Sequence, residues 1–175
     1  MFGTPGTVIG QALSGVCVLI GFISFQQKTP ARILTCEIIS ASLFSAHYAL
    51  IGEPVGAVLN LLALVQCIVY YFRNKRGSKS PFFPILFTVL TVLSGVVAGW
   101  GTWYSVFIVF GLGIYSVSIA FPNAQSIRYA MLLKSPACLT YNICAGSIGG
   151  TVYECAVLIS SIIGTVKSFK RAKRK

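Results

Sequence analysis

The stretch "YNICAGSIGGTVYE" at residues 141–154 joins two apolar runs and places a glutamate several residues into the second run. A phosphate-binding loop would have a lysine after its glycines and a strand before them, and both are missing here. A membrane serine protease of the rhomboid kind has Gly-x-Ser-Gly, whereas Gly146 directly precedes Ser147 and an isoleucine follows it. We therefore predict a tight turn between two membrane helices, in which Gly146 and Gly150 allow close helix packing.

The composition is that of a membrane protein. Of the 175 residues, 55% are hydrophobic and 10% are charged, which is too little charge to cover a soluble surface. The net charge is +11, but the basic residues form short clusters between apolar runs, as charges that set membrane topology do. We expect the lipid bilayer as a partner and no nucleic acid. The six cysteines lie in apolar stretches without a Cys-x-x-Cys pair, so no metal or cofactor is expected.

Seven apolar segments are long enough to cross a bilayer, which takes about 20 residues. They cover residues 6–26, 31–51, 54–73, 81–99, 102–121, 125–145 and 149–168. Pro30, Pro54 and Pro81 stand near predicted helix starts, where a missing backbone N–H costs nothing. The predicted fold is all-α and polytopic, with seven transmembrane helices.

The basic residues predict how these helices are oriented. With seven spans, the Lys and Arg clusters fall in the first, third and fifth connections and in the tail "KSFKRAKRK". The second, fourth and sixth connections have no Lys or Arg. Because cytoplasmic loops are enriched in these residues, we expect a cytoplasmic C-terminus and an external N-terminus.

An offset of 94 residues overlays the first three spans on the last three. Its matched positions are Gly52 with Gly146, Gly56 with Gly150, Asn60 with Glu154, His47 with Tyr141, and Tyr48 with Asn142. One span separates the halves, so both have the same orientation, which implies a pseudo-twofold axis along the membrane normal. The predicted domains are a first three-helix bundle at 1–76, a linker helix at 77–100, and a second bundle with the basic tail at 101–175.

Polar residues within the spans are candidates for function, because a charge at the bilayer centre costs about 3 kcal/mol on insertion scales. Asn60 and Glu154 should face each other across the central axis, either to bind a polar solute or to form a structural hydrogen bond. Glu154 is expected to have no basic partner at its depth. Lys134 should snorkel to the surface or pair with Glu37. The candidate solute-binding residues are Asn60, Glu154, His47, Tyr48, Tyr141 and Asn142, although His47 and Tyr48 also suit an interfacial belt.

Three stretches resemble one known family over nearly the whole chain. They are "SFQQKTPARIL", "AHYALIGEPVGAVLNLLALV" and "YNICAGSIGGTVYE", and they resemble the bacterial inner-membrane YgjV family. That family is similar to the PQ-loop, SWEET-like group, which implies a 3+1+3 helix arrangement. The asparagine on the third helix of each bundle in the group's sugar transporters falls on Asn60 and, in the second half, on Glu154. The group's Pro-Gln pair is altered to Gln26-Gln27 and Pro122-Asn123.

The resemblance implies an inner-membrane transporter of a small solute, sugar-like or vitamin-like, that works by alternating access between two bundles. A non-transporting structural or assembly protein is the alternative. An enzyme is not expected. The chain has one histidine, no aspartate and no metal-binding motif, so few combinations of its residues could form an active site.

Overall fold

The structure is a computed structural model that describes residues 5–77, 80–120 and 123–172. Within them the chain forms seven helices: α1 (Pro5–Ser24), α2 (Pro30–Ile51), α3 (Pro54–Lys75), α4 (Phe82–Ala98), α5 (Ser105–Ser118), α6 (Ala124–Cys144) and α7 (Ile148–Ala172). The predicted all-α membrane fold is confirmed. Pro122 of the altered Pro-Gln pair and the last three residues of the basic tail lie outside the described residues.

The seven helices differ in how well they suit a bilayer. In the described ranges α1, α2, α3 and α7 are long and apolar enough to cross a membrane. Helices α4 and α5 are apolar but have 17 and 14 residues. Helix α6 has 21 residues and carries Arg128, Lys134 and Asn142, all of which are buried. Its polar side chains therefore point into the protein, where other groups can satisfy them.

Prolines and glycines set the helix ends much as predicted. Helices α2 and α3 begin at Pro30 and Pro54, and Pro81 directly precedes α4. Gly52 after α2 has φ of 81° and Gly146 after α6 has φ of 67°. Only glycine enters this left-handed region without steric cost, so both positions end a helix and reverse the chain.

The two glycine turns share one hydrogen-bonding pattern. The backbone N–H of Glu53 donates to the carbonyl of Tyr48, and that of Ser147 donates to the carbonyl of Asn142, both at 2.9 Å. Each bond spans six residues, as in a Schellman C-cap. The 94-residue repeat therefore extends from the sequence to the backbone geometry.

The helices follow one another around the molecule. Helix α2 packs between α1 and α3, and α6 packs between α5 and α7. The halves meet where α1 contacts α7 and where α3 contacts α5, and α4 packs against α3 and α5. Under the repeat α1 corresponds to α5 and α3 to α7, so these two interfaces are equivalent. The domain boundaries at residues 76 and 100 stay a prediction.

The same equivalence holds for the hydrogen bonds at these interfaces. Gln66 Nε2 on α3 donates to Ser116 Oγ on α5 at 3.0 Å. Ser160, the repeat equivalent of Gln66, donates from α7 to the carbonyl of Phe22 on α1 at 2.7 Å. Phe22 is in turn the equivalent of Ser116. The two halves are therefore joined twice by matched contacts.

Basic residues of α3, α6 and α7 lie at one end of the molecule, which we call the basic end. Arg73 Nη1 donates to the carbonyl of Ala120 at 3.1 Å, and its equivalent, Lys167 Nζ, donates to Gln26 Oε1 at 3.0 Å. Arg128 Nε donates to the carbonyl of Phe25 at 3.0 Å. The opposite end, with the two glycine turns and the α4–α5 connection, is the turn end. Side chains expected only to set topology thus also satisfy carbonyls at helix ends.

Gly56 and Gly150 allow close packing within each half, as predicted for Gly150. A Cβ atom on Gly56 would lie 2.5 Å from Cγ of Tyr48. One on Gly150 would overlap Oδ1 of Asn142, the repeat equivalent of Tyr48. Gly146 has open space around its Cβ position, so it is required for its left-handed backbone and not for helix approach.

We expect Gly56→Ala to destabilise the protein by about 1–3 kcal/mol, because the buried Tyr48 ring must move out of its packed position. Gly15→Ala and Gly113→Ala are matched controls, since nothing lies within 4 Å of a Cβ added at either helical position. These controls should be neutral or stabilising by up to about 1 kcal/mol. Reversible unfolding in mixed micelles measures all three, and equal effects at Gly56 and Gly15 would contradict the packing argument.

Candidate functional site

A small cavity lies between the two halves, among α2, α3, α5, α6 and α7. Its volume is about 40 Å³, which is room for about one water molecule. Six of its lining residues were singled out from the sequence, namely Glu37, Tyr48, Asn60, Lys134, Asn142 and Glu154. His47 and Tyr141, the other two predicted solute-binding residues, are fully buried at the turn end and do not line the cavity.

Lys134 forms an ion pair with Glu154 in the wall of this cavity. Its Nζ lies 3.1 Å from Glu154 Oε1, and the two side chains are 8% and 5% exposed. The predicted pair of Lys134 with Glu37 is therefore not formed, and the predictions that Lys134 snorkels and that Glu154 lacks a basic partner are wrong. The reason is helix adjacency: α6 packs along α7, whereas α2 and α6 touch only over a short stretch.

Two tyrosine rings surround the lysine. Lys134 Nζ is 5.5 Å from the ring centre of Tyr115 and 6.0 Å from that of Tyr153. At these distances the negative faces of the rings attract an ammonium group. Neither tyrosine was singled out from the sequence, because nothing in the apolar pattern separates them from the other aromatic residues.

The two carboxylates of the cavity differ in how completely they are satisfied. Glu37 Oε1 accepts a hydrogen bond from Ser24 Oγ at 3.1 Å, and its Oε2 accepts one from Tyr115 OH at 3.4 Å. Glu154 Oε1 faces Lys134, but Glu154 Oε2 is buried and has no hydrogen-bond partner. A buried oxygen without a partner costs free energy unless a ligand or water satisfies it.

Asn60 and Glu154 both line the cavity, as the repeat predicts, but no hydrogen bond joins them. Asn60 Nδ2 donates to the carbonyl of Gly56 in its own helix at 2.8 Å. The structural Asn–Glu bond expected as an alternative is therefore not formed. Asn60 can be replaced without breaking a contact between the two halves.

The turn end closes the cavity through contacts between the halves. Tyr48 OH donates to Asn142 Oδ1, and these residues are 94 positions apart. Positions related by the pseudo-twofold therefore touch each other, which places their contact on the axis. The sequence predicted only that these two positions correspond, and the structure shows that they also contact each other in the wall of the cavity.

Two crossed pairs flank this axial contact. His47 Nε2 lies 2.7 Å from Ser147 Oγ, and its Nδ1 lies 2.8 Å from the carbonyl of Gly10. The equivalents of His47 and Ser147 also meet, since Tyr141 OH donates to Glu53 Oε2 at 3.4 Å. We call the contacts Tyr48–Asn142, His47–Ser147 and Tyr141–Glu53 the turn-end closure. Because His47 and Tyr48 are buried within it, the expectation of an interfacial belt is wrong for both.

Glu53 has a second phenol donor in this closure. Tyr104 OH donates to Glu53 Oε1 at 3.1 Å. Partial burial, and then the neighbouring Glu53 carboxylate, raise the pKa of Tyr104 above its ordinary value of 10.0. The phenol therefore keeps its proton and remains a donor to Glu53 over the physiological pH range.

The His47–Ser147 contact has the geometry of a nucleophile and its base. His47 is 0% and Ser147 is 1% exposed, however, and neither lines the central cavity. Ser147 directly precedes α7, and its Oγ accepts a hydrogen bond from the backbone N–H of Gly150 at 3.1 Å. Ser147 is therefore the N-cap of α7. The pair therefore joins the halves and caps a helix.

We expect Lys134→Met alone, or Glu154→Leu alone, to destabilise the protein by about 3 kcal/mol or more, because each leaves an uncompensated buried charge. The double substitution should recover a large part of that loss. A matched cycle of Lys134→Met with Glu37→Leu should show weaker coupling, since those side chains form no ion pair. Unfolding free energies measure both cycles, and stronger coupling to Glu37 would contradict the assigned pair.

Comparison with known proteins identifies one family. No curated protein and no solved structure matches the chain. The sequence model of the Imp-YgjV family, described as bacterial inner membrane proteins, matches residues 8–172. That range covers nearly all of the 175 residues, including α2 to α7 in full and α1 from residue 8 onward. The chain is therefore a multi-pass member of the Imp-YgjV family of bacterial inner membrane proteins.

Proposed function

We propose that this protein transports a small polar solute across the inner membrane by alternating access, as its resemblance to the PQ-loop, SWEET-like group implies. The central cavity is the observation that carries the proposal. Two carboxylates, a lysine and two amide side chains line it together. Such groups are expensive inside a membrane and are typical of substrate and ion pathways. A purely structural bundle has no need of them.

The contacts between the halves suit a rocking motion. The turn-end closure joins the halves on one side of the cavity, and Arg73, Lys167 and Arg128 join them at the basic end. The cavity of about 40 Å³ is far smaller than the roughly 300 Å³ of an ordinary small-molecule pocket. In the described conformation the halves are thus in contact at both ends of the cavity. In our proposal, solute enters after one set of contacts breaks and leaves after the other does.

We further propose that the basic end faces the cytoplasm. The cationic side chains that meet there come from three connections and from α7, as the positive-inside rule requires of the cytoplasmic side. The turn end, which has no Lys or Arg in its connections, would then face outward. In this orientation the turn-end closure is the external gate.

Cysteine labelling tests this orientation. Lys170→Cys at the basic end should react with a membrane-impermeant thiol reagent in inverted vesicles and not in intact cells. Thr102→Cys in the α4–α5 connection is the matched opposite-side control, and the parent chain corrects for its six native cysteines. Labelling of Lys170→Cys in intact cells would reverse the proposed orientation.

A hydrolase is the second candidate, and the His47–Ser147 pair is the observation that favours it. Both residues are buried, and neither lines the central cavity. The repeat places Tyr141 and Glu53 in the equivalent contact, and that pair is not a nucleophile and its base. A role in closing the gate accounts for both contacts, so transport is the better supported proposal.

Substitution of Asn60 gives the sharpest test of the central site. A metabolite library should yield a solute that raises the melting temperature of the wild-type protein. Asn60→Leu should abolish that rise and solute uptake while leaving the Lys134–Glu154 pair and the fold intact. Thr35→Val, at an exposed position of α2, is the control and should retain both. Unchanged solute binding and uptake in Asn60→Leu and in a folded Glu154→Leu variant would contradict a central solute site.

A further inference from the structure

We infer that the solute is a small organic cation, bound in the central cavity through Glu154 Oε2 and the faces of Tyr115 and Tyr153. This inference rests on the proposed function, and it specifies the chemical class that the site selects. It follows from the charges of the lining residues, from one unsatisfied oxygen atom and from the arrangement of the rings.

The first observation is the charge of the cavity wall. Among the described residues that line it, Glu37 and Glu154 are acidic and Lys134 is the one basic residue. With all three groups ionised the wall carries one excess negative charge. Isolated charge in a membrane interior is expensive. A bound cation compensates it, whereas a neutral solute leaves it uncompensated unless a carboxyl group carries a proton, and an anion would add to it.

The second observation locates the missing partner. Both oxygens of Glu37 accept hydrogen bonds, and Glu154 Oε1 is paired with Lys134. The remaining carboxylate oxygen, Glu154 Oε2, is buried without a partner, and Glu154 lines the cavity. An ammonium or amidinium group donates to such an oxygen with a charge-assisted hydrogen bond. Glu154 therefore offers the free acceptor oxygen, and Glu37 in the same wall carries the negative charge that Lys134 does not compensate.

The third observation concerns the aromatic rings. Tyr115 and Tyr153 already hold the ammonium group of Lys134 over their faces, at 5.5 Å and 6.0 Å, and both rings line the cavity. Aromatic walls combined with a carboxylate are how proteins bind alkylated ammonium groups. Lys134 occupies part of such a site in the closed conformation. Its flexible four-carbon stem lets the ammonium group move aside when a solute cation enters.

Choline and 3,3-dimethyl-1-butanol form a matched pair of probes, since the second replaces the charged nitrogen by carbon at nearly constant shape. Choline, methylammonium and guanidinium are each titrated against the full chain in lipid nanodiscs, and thermal unfolding is recorded. At least one cation should raise the melting temperature saturably, while dimethylbutanol and acetate should not. Choline and its isostere thus isolate the effect of charge from that of size.

Variants assign the effect to the cavity. Glu154→Gln should weaken cation binding by about tenfold or more, as expected for loss of a charge-assisted bond. Since Glu154→Gln also disturbs Lys134, Tyr115 supplies a second measurement. Tyr115→Phe should keep the preference for the cation over its neutral isostere, and Tyr115→Leu should reduce it. Glu53→Gln removes the same charge at the turn end, outside the cavity, and should leave that preference unchanged.

The outcomes separate this inference from the proposed function. An equal rise in melting temperature with choline and with dimethylbutanol, no rise with any of the three cations, or equal preference in Tyr115→Phe and Tyr115→Leu would overturn the cationic class. A neutral or anionic solute whose binding and uptake are lost in Asn60→Leu would also overturn it, while leaving transport intact. Cation binding without uptake of the bound cation by cells would instead uphold the ligand class and contradict transport.

Discussion

The buried ion pair between Lys134 and Glu154 is the interaction on which the centre of this protein depends. Each partner alone would be an unpaired charge in a low-dielectric interior, and together they still leave one carboxylate oxygen of Glu154 unsatisfied. The pair holds α6 to α7 within the second half. It also fixes where a ligand can find an acceptor. Stability and the proposed binding chemistry therefore share the same atoms.

Contacts between the halves come in matched sets around this centre. At the turn end, His47 with Ser147 corresponds to Tyr141 with Glu53, and Tyr48 meets its own equivalent, Asn142. At the basic end, Lys167 and Arg73 donate to Gln26 and Ala120, which are equivalent positions just after α1 and α5. Hydrogen bonds of ordinary strength can be exchanged at modest cost. Two sets at opposite ends are the arrangement that a rocking motion needs.

Most of the architecture could be predicted from the sequence. Hydropathy and proline positions located the helices within a few residues, and the glycine turns and the repeat fixed which positions correspond. The polar lining followed from the cost of polar groups in a membrane, so Asn60, Glu154, Tyr48 and Asn142 were found together. The ion-pair partner of Lys134 could not be predicted. Lys134 reaches Glu154 and not Glu37 because of side-chain direction and helix adjacency, which the spacing of residues along the chain does not encode.

The two tyrosines of the cavity wall could not be predicted from the sequence, for a related reason. Tyr115 and Tyr153 are two of the chain's eight tyrosines. In an apolar helix the sequence pattern does not distinguish rings that face inward from rings that face outward. The basic residues Arg73 and Arg128 likewise looked like topology signals, and only packing reveals that they satisfy helix-end carbonyls. In such a chain the sequence alone can therefore identify polar candidate site residues, whereas aromatic site residues are identified only once the fold is known.

The unequal charge of the two halves has a consequence for the history of the chain. Under the 94-residue correspondence the cavity residues Glu37, Lys134 and Glu154 match, in that order, Met131, Ser40 and Asn60. Each charged residue of the cavity therefore corresponds to an uncharged residue in the other half. Two identical subunits would carry each charge twice and could never hold an odd net charge around their axis. A contact between a tyrosine and an asparagine at positions 48 and 142 likewise requires halves that differ. A central site of this kind could therefore arise only once the two halves were no longer identical.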